Sequence, residues 1–515
     1  MMHAHRTTQP ALTRPIARVA AAALAALALV LALALGTARA QTLDVLVPAE
    51  FPNLDTCETV SGDQSMIKYH VYSRLFTFSE AMEPEPDLVV AESLSEDGRE
   101  WTFELREGVT FHDGTPVDAE AVRYTIERMR ADNCGQQALF QPITEVRIDG
   151  PTTVTLVTQG LFPALRNNLS HPDAAIINPV AHAELGNLWG LQPVGSGPYV
   201  FTEWVTGDRI VVERNPDYYG GEPFFERIVF RFVEDDTTRA LLIDTAQADV
   251  ALRILPLDVD RLAANPDLNV AQVVGRSMFY PMNVVDGPFT DHRIRLAANY
   301  AVDKETIVDR VLFGAGTPSQ SLVEAVQYSL PVGFYDFDPE RARSLLEEAD
   351  AVGVTVTLLT PTSRYPSDVE TSQAVAGYLR DAGFTVDLQA ISDWPSYVDR
   401  VERGDFDMFF LGWGGSTGDP DNAFRRTLHS SNAGRLWNPG GYSNAEVDRL
   451  IDEGGAAFDL EERAAAYEAA QRIVWDEAPW LFMHRASIFF AHNADLQGIK
   501  VLPGTEMPYF WEAHY

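Results

Sequence analysis

The sequence predicts an α/β protein built from more than one lobe. Three observations carry this: an export signal whose removal leaves a chain too long for one core, strand and helix patterns that alternate through the second half, and a long extended segment that could run from one lobe to the next.

The export signal comes first. Arg6, Arg14 and Arg18 precede an apolar run over 19–35, which ends in Ala38-Arg39-Ala40. That layout predicts a secretory signal peptide over 1–40, cleaved after Ala40. About 17 apolar residues also lie at the short end of a membrane span, so an uncleaved anchor is the alternative. Gln41 stands where a lipoprotein needs cysteine, and no later stretch has 18 consecutive apolar residues. The expectation is a protein free in the periplasm.

Removing the leader leaves 475 of 515 residues, which suggests two or three lobes. The formal charge of −35 becomes about −39, because the leader carries four arginines and no acid. Phosphate is repelled by such a surface, so nucleic acid is not an expected partner. Lysine is confined to Lys68, Lys304 and Lys500; adaptation to a saline setting and genomic bias both account for it. The two cysteines, Cys57 and Cys134, are compatible with free thiols or with a disulfide worth ~4 kcal/mol in the chain-entropy model. Two thiols that far apart make a poor metal site.

Alternation predicts a first strand at 42–48, and the stretch 66–78 reads as a helix. Two short strands are expected around Glu107-Gly108, a helix opened by Thr115 or Asp118 to about Arg130, and a strand pair about Asp149-Gly150-Pro151. Strands follow at 198–205, 209–214 and 227–233, with a helix from about Thr237. The segment 268–285 is extended and apolar. Beyond it helices at 292–299, 304–312, 339–349, 366–382, 394–404, 444–454 and 460–478 alternate with β runs at 355–359, 385–390 and 407–413. That order implies a mostly parallel sheet clothed by helices. The run 487–515 is again strand-like, and its aromatics read as core.

Several stretches resemble a known family. The most specific runs Pro86-Asp-Leu-Val-Val-Ala-Glu-Ser-Leu-Ser-Glu-Asp-Gly98 and on through Trp101-Thr-Phe-Glu-Leu-Arg-Glu-Gly-Val-Thr-Phe-His-Asp-Gly-Thr-Pro-Val-Asp-Ala-Glu-Ala-Val122. Gly195-Ser-Gly-Pro-Tyr199, Asn215-Pro-Asp-Tyr-Tyr-Gly220, Phe289-Thr-Asp-His-Arg-Ile-Arg295, Tyr300-Ala-Val-Asp303 and Asp405-Phe-Asp-Met408 leading to Gly412-Trp413 follow in order. Together they resemble the family 5 extracellular solute-binding proteins of ATP-binding-cassette (ABC) importers, the dipeptide, oligopeptide and nickel binders. The resemblance implies a two-lobed periplasmic-binding-protein fold (type II) with mixed sheets flanked by helices, two crossovers forming a hinge and an extra inserted subdomain. Mapped here, lobe I is 41–275 plus 485–515 with the insert at about 85–185, and lobe II is 276–484. It implies no cofactor, a peptide or peptide-like ligand in the interlobe cleft, and a membrane permease as partner; a monomer is the default expectation. Opines and oligosaccharides remain open as ligands.

Read bottom-up, most of these motifs are structural. Phe111-His-Asp-Gly114 is a turn, and His112 beside Asp113 lacks further groups at metal-ligand spacing. Gly195-Ser-Gly-Pro198 is a tight turn before a strand rather than a phosphate loop, since no helix follows.

By similarity to the dipeptide binders, Arg364 matches the arginine that grips the ligand carboxylate, a task suited to its planar fork. Those binders hold the peptide amine with an acid three residues after the Gly-Trp tryptophan. Here that position is Ser416, in Gly412-Trp413-Gly414-Gly415-Ser416-Thr417-Gly418-Asp419. An ammonium buried without a counter-charge costs several kcal/mol, so a ligand with a carboxylate but no free amine is expected unless Asp419 substitutes. Trp413, Trp394 and Tyr280 are candidates for the cleft wall and equally for the core. Gly414 and Gly415 next to Trp413 admit close approach at a strand end.

The competing class is a secreted serine hydrolase. Gly414-Gly-Ser416-Thr-Gly418 fits a nucleophile elbow, with Asp448 or Asp452 and then His484 or His492 in the required order. An elbow serine needs a helix at once, whereas Asp419-Pro420 reads as a helix start about four residues too late.

Overall fold

The structure, a computed structural model, describes residues 42–58, 62–323, 331–362, 364–435, 437–502 and 506–515. The expected leader and its cleavage point lie outside these residues. Among them no helix is long and apolar enough to cross a membrane.

Lobe I is organised around Thr42–Val47, which pairs parallel with Arg227–Phe232 on one side and Val250–Ile254 on the other. Arg209–Arg214 and Tyr199–Val205 extend the sheet antiparallel beyond Arg227–Phe232. Alternate side chains serve two cores. Leu43, Val45, Ile228, Phe230 and Val250 pack inward on Met66, Ile67 and Tyr199. Leu46, Ala251 and Ile254 pack the opposite face on Ala240 and Ile243 of helix Asp236–Asp244, which Asp235 caps. Both faces are covered, which is why this strand reads as nearly continuously apolar.

A separate antiparallel sheet, in the order Val89–Leu94, Glu100–Leu105, Thr153–Thr158, Ile143–Gly150, lies under helix Ala119–Met129 with its own core. Asp118 caps that helix through the Ala121 amide. Cys57 and Cys134 form a disulfide spanning 77 residues, at the edge of this core.

Lobe II has three layers. Thr385–Ile391, Thr355–Pro361 and Met408–Phe409 pair parallel, as expected for the second half, whereas the lobe I sheet is mixed. On one face Met278, Tyr280, Val356, Leu358 and Phe410 meet the buried side of helices His292–Ala301, Pro339–Glu348 and Asp368–Ala382. On the other, Phe279, Leu359, Phe409, Leu411 and Trp413 meet helices Pro420–Thr427, Ala445–Ala456 and Leu460–Glu477.

Two 14-residue strands join the lobes. Leu268–Pro281 and Trp480–Asn493 run antiparallel through both, and Leu411–Trp413 adds to the former at Ser277, Met278 and Phe279. Their register shifts between Val274 and Ser277, so Gly275 and Arg276 form a bulge between the lobes.

Two expectations need correction. Helix 66–78 stops early: the helix is Gly62–Val71, and Phe76–Phe78 is a strand paired with Pro84–Pro86. Its end is fixed from outside, because the Val71 carbonyl accepts from the Gly197 amide. Of the two strands around Glu107-Gly108, only Glu100–Leu105 forms; beyond it a single bridge joins Thr110 and Pro116.

The recognised motifs converge on this helix end. His112 donates its amide to the Gly195 carbonyl, its ring bonds the Gly197 carbonyl at 3.1 Å, and Asn215 bonds the same carbonyl. A Cβ on Gly195 would stand 1.9 Å from the Val71 carbonyl oxygen. Gly114, by contrast, has φ +85° and open space around it. Gly195→Ala is therefore expected to cost about 1–3 kcal/mol through forced backbone movement, and Gly114→Ala ~1 kcal/mol through φ alone. Thermal unfolding of the two variants checks the order. The Cys57→Ser/Cys134→Ser double variant is expected to lose ~4 kcal/mol, read in the same assay without reductant.

Candidate functional site

The loop after strand Thr355–Pro361 carries Arg364. Asp368, buried at the start of the next helix, accepts hydrogen bonds from the amides of Arg364 and Tyr365 at 2.9 and 3.1 Å, so one carboxylate pins the whole turn. The half-buried Arg364 guanidinium lies 5.4 Å from the Tyr365 ring centroid and 5.0 Å from that of Trp394. Trp394 opens helix Trp394–Glu402, capped by Asp393, and stacks on buried Tyr397. Arg364 thus rests on a rigid aromatic ledge, and no carboxylate among the described residues forms an ion pair with it.

The bulge supplies the neighbouring charges. The Arg276 amide and guanidinium bond Glu506 at 2.7, 2.9 and 2.7 Å; Glu506 is 3% exposed. Burial alone raises the Glu506 carboxyl, but Arg276, with Arg253, holds it below the usual range. The same two arginines act on Arg364, whose proton affinity is lowered first by burial and then by their charge, against Tyr365 and Glu506. An arginine stays protonated regardless. Arg364 thus stands near the Arg276–Glu506 pair with no ion-pair partner of its own among the described residues, an arrangement suited to a carboxylate ligand.

Beside it, a Cβ on Gly412 would fall 2.6 Å from the Arg276 Cδ and 3.0 Å from Tyr365, so glycine lets the strand pass under both. Trp413, 8% exposed, packs edge-to-face on Trp437 at 5.2 Å. Gly414 and Ser416 are half-buried and Gly415 is buried. The loop then meets lobe I: the Asn167 side-chain amide donates to the Thr417 carbonyl at 2.9 Å, and Gly418 lies against the Met82 carbonyl. Further out, Phe458 packs on Trp101 at 5.9 Å and on Gly98. These contacts join the two lobes beyond the strand end.

Two of the expected site residues are placed elsewhere. Tyr280 is wholly buried, stacked on Phe410 at 4.7 Å with its hydroxyl on Ser372 Oγ. It faces the helix Asp368–Ala382 side of the lobe II sheet, opposite to Trp413, so it belongs to the core. Asp419, 4% exposed, is held by Arg463 through two 2.6 Å bonds while capping helix Pro420–Thr427; it is committed and does not replace an amine-binding acid.

The hydrolase constellation is not assembled. The helix begins at Pro420 rather than directly after Ser416. Asp448 bonds Ser430 and Asp452 pairs with Arg425. His484 is buried, pushed down to about 4 by desolvation, and His492 bonds the Asn493 carbonyl within lobe I.

Sequence reasoning did not find Arg276, Glu506, Arg253 or Asn167. Arg276 and Glu506 are 230 residues apart, and no local pattern announces their meeting.

Comparisons with known proteins agree with the two-lobed fold. The family model for bacterial extracellular solute-binding proteins, family 5, middle region, matches residues 83–435. The chain is 29% identical over 476 residues to the glutathione-binding protein GsiB of Escherichia coli (strain K12), covering 90% of this chain and 93% of that protein. Among solved structures it is similar to the dipeptide binding protein from Pseudoalteromonas sp. SM9913 in complex with Met-Leu, at 25% identity and TM-score 0.80, covering 92% of this chain and 100% of that one. It is also similar to the binding protein AgaA from A. tumefaciens R10 in complex with agropinic acid, at 25% identity and TM-score 0.79, covering 90% and 96%. On a match that spans most of its length, the chain belongs to the bacterial extracellular solute-binding proteins, family 5.

Proposed function

We propose that this protein is the periplasmic capturing subunit of an ABC importer, that it encloses a carboxylate-bearing, peptide-like solute between its lobes, and that the closed form is what the membrane permease receives. The observation that carries the reading is Arg364. It is half-buried on the Trp394 and Tyr365 rings, beside Arg276, with no acidic partner among the described residues. Relatives bearing the names of glutathione, dipeptide and agropinic acid binders support a solute with a carboxylate.

The amine end sets this chain apart. Ser416 stands where dipeptide binders carry an acid, and Asp419 is already neutralised by Arg463. A solute with a blocked, displaced or absent amine suits such a cleft. The lobe boundaries that go with this reading are 41–275 plus 485–515 and 276–484, which fall at the bulge and at its partner strand.

Closure stores selectivity only if the ligand's contacts favour the shut state. The anchor at Arg364 and the latch at Asn167 and Phe458 then have separable roles. Calorimetry with N-acetylated and free-amine dipeptides tests the first. Arg364→Ala is expected to weaken carboxylate ligands by about 10- to 100-fold, the size of a charge-assisted hydrogen bond. Ser416→Asp is expected to gain affinity for free amines selectively; tight and equal binding of free-amine dipeptides by the unaltered protein overturns the amine argument. The latch is tested by Phe458→Ala, which is expected to weaken every ligand by a similar factor and to expand the ligand-free particle in small-angle scattering. A change confined to one ligand class contradicts a latch role.

A further inference from the structure

A second arginine stands near the same strand end, over the Trp413 and Trp437 rings. Arg426 lies in the last turn of helix Pro420–Thr427. Its guanidinium lies 5.8 Å from the Trp413 ring centroid and 5.1 Å from that of Trp437. Its neighbour Arg425 is bonded to Asp421 and Asp452, whereas no carboxylate among the described residues pairs with Arg426. Burial alone pushes Arg426 down to about 10, so it is charged at neutral pH. A half-buried cation without a counter-charge is costly unless something supplies one.

Its direction is given by what it touches. Trp413 lies at the end of the strand beside Arg276 and Tyr365. The loop that follows Trp413 meets lobe I at Asn167 and Met82. The two arginines share no aromatic partner. Arg364 rests on the Tyr365 and Trp394 rings and Arg426 on the Trp413 and Trp437 rings, so the positive charge comes as two centres on different rings.

We propose that the solute carries two separate anionic groups, the first engaged by Arg364 and the second by Arg426 over the Trp413 and Trp437 rings. This rests on the reading of the chain as a capturing subunit and narrows its substrate class to dianions.

The test uses the mature protein and a thermal-shift panel of small solutes graded by charge (zwitterionic, mono-carboxylate and di-carboxylate), followed by calorimetry on N-succinyl-Ala-Ala, with a carboxylate at each end, and N-acetyl-Ala-Ala, with one. Dicarboxylates are expected to stabilise most, and the succinyl probe to bind at least tenfold tighter than the acetyl probe. Arg426→Met, which keeps an apolar stem over the rings, is expected to abolish that difference, and Arg426→Lys to retain most of it, with neither variant unfolding below the parent temperature. Stabilisation chiefly by zwitterions or mono-carboxylates, or a succinyl advantage that survives in Arg426→Met, overturns the dianion proposal and leaves the capturing role standing. A folded protein stabilised by no member of the panel counts against the capturing role itself, and the proposal falls with it.

Discussion

The pairing of two 14-residue strands across both lobes is the constraint on which the rest of the molecule hangs. Each lobe has its own core, and neither core extends through the connection. What holds the lobes in phase is the ladder between these strands and the two register shifts that interrupt it, at Val274/Ser277 and Met278/Phe279. Because side chains alternate on a strand, a one-residue change in register exchanges faces. In lobe II the even residues Met278 and Tyr280 serve one core and Phe279 the other. The length of this segment is therefore fixed far more tightly than that of any surface loop.

The bulge also explains why the charged end of the cleft is sited where it is. It turns the Arg276 amide and guanidinium together onto Glu506, a residue brought by the C-terminal hairpin Lys500–Leu502 and Met507–Tyr509. The same backbone irregularity that marks the passage between the lobes thus sets Arg276 on Glu506, close to the arginine proposed as the anchor.

Much of the fold was legible in the sequence because its signals are local. Asp118 and Asp235 cap the helices they precede, and Asp149-Gly150-Pro151 turns the predicted pair. The overlong helix at 66–78 was misread because its end is imposed by Gly197, more than a hundred residues away. At the site, Arg364 was legible through resemblance, and the lateness of the helix after Ser416 through Asp419-Pro420. Tyr280 was not: an aromatic on a strand buried on both faces carries no mark of which face it takes. Asp419 was misjudged for a similar reason, since Arg463 lies 44 residues further on and meets it only because two helices of lobe II pack together.

Arg364 and Arg426 sit inside a chain whose formal charge is −35, and the two signs act over different distances. An anion approaching from solution meets repulsion first, spread over a surface and screened beyond about 10 Å at 0.1 M salt. Only inside the cleft does it meet guanidinium groups shielded from that screening. Added salt consequently speeds arrival and hastens departure. For the anionic solute proposed above, the acidic envelope then acts on the rate of arrival and the guanidinium groups on the rate of departure.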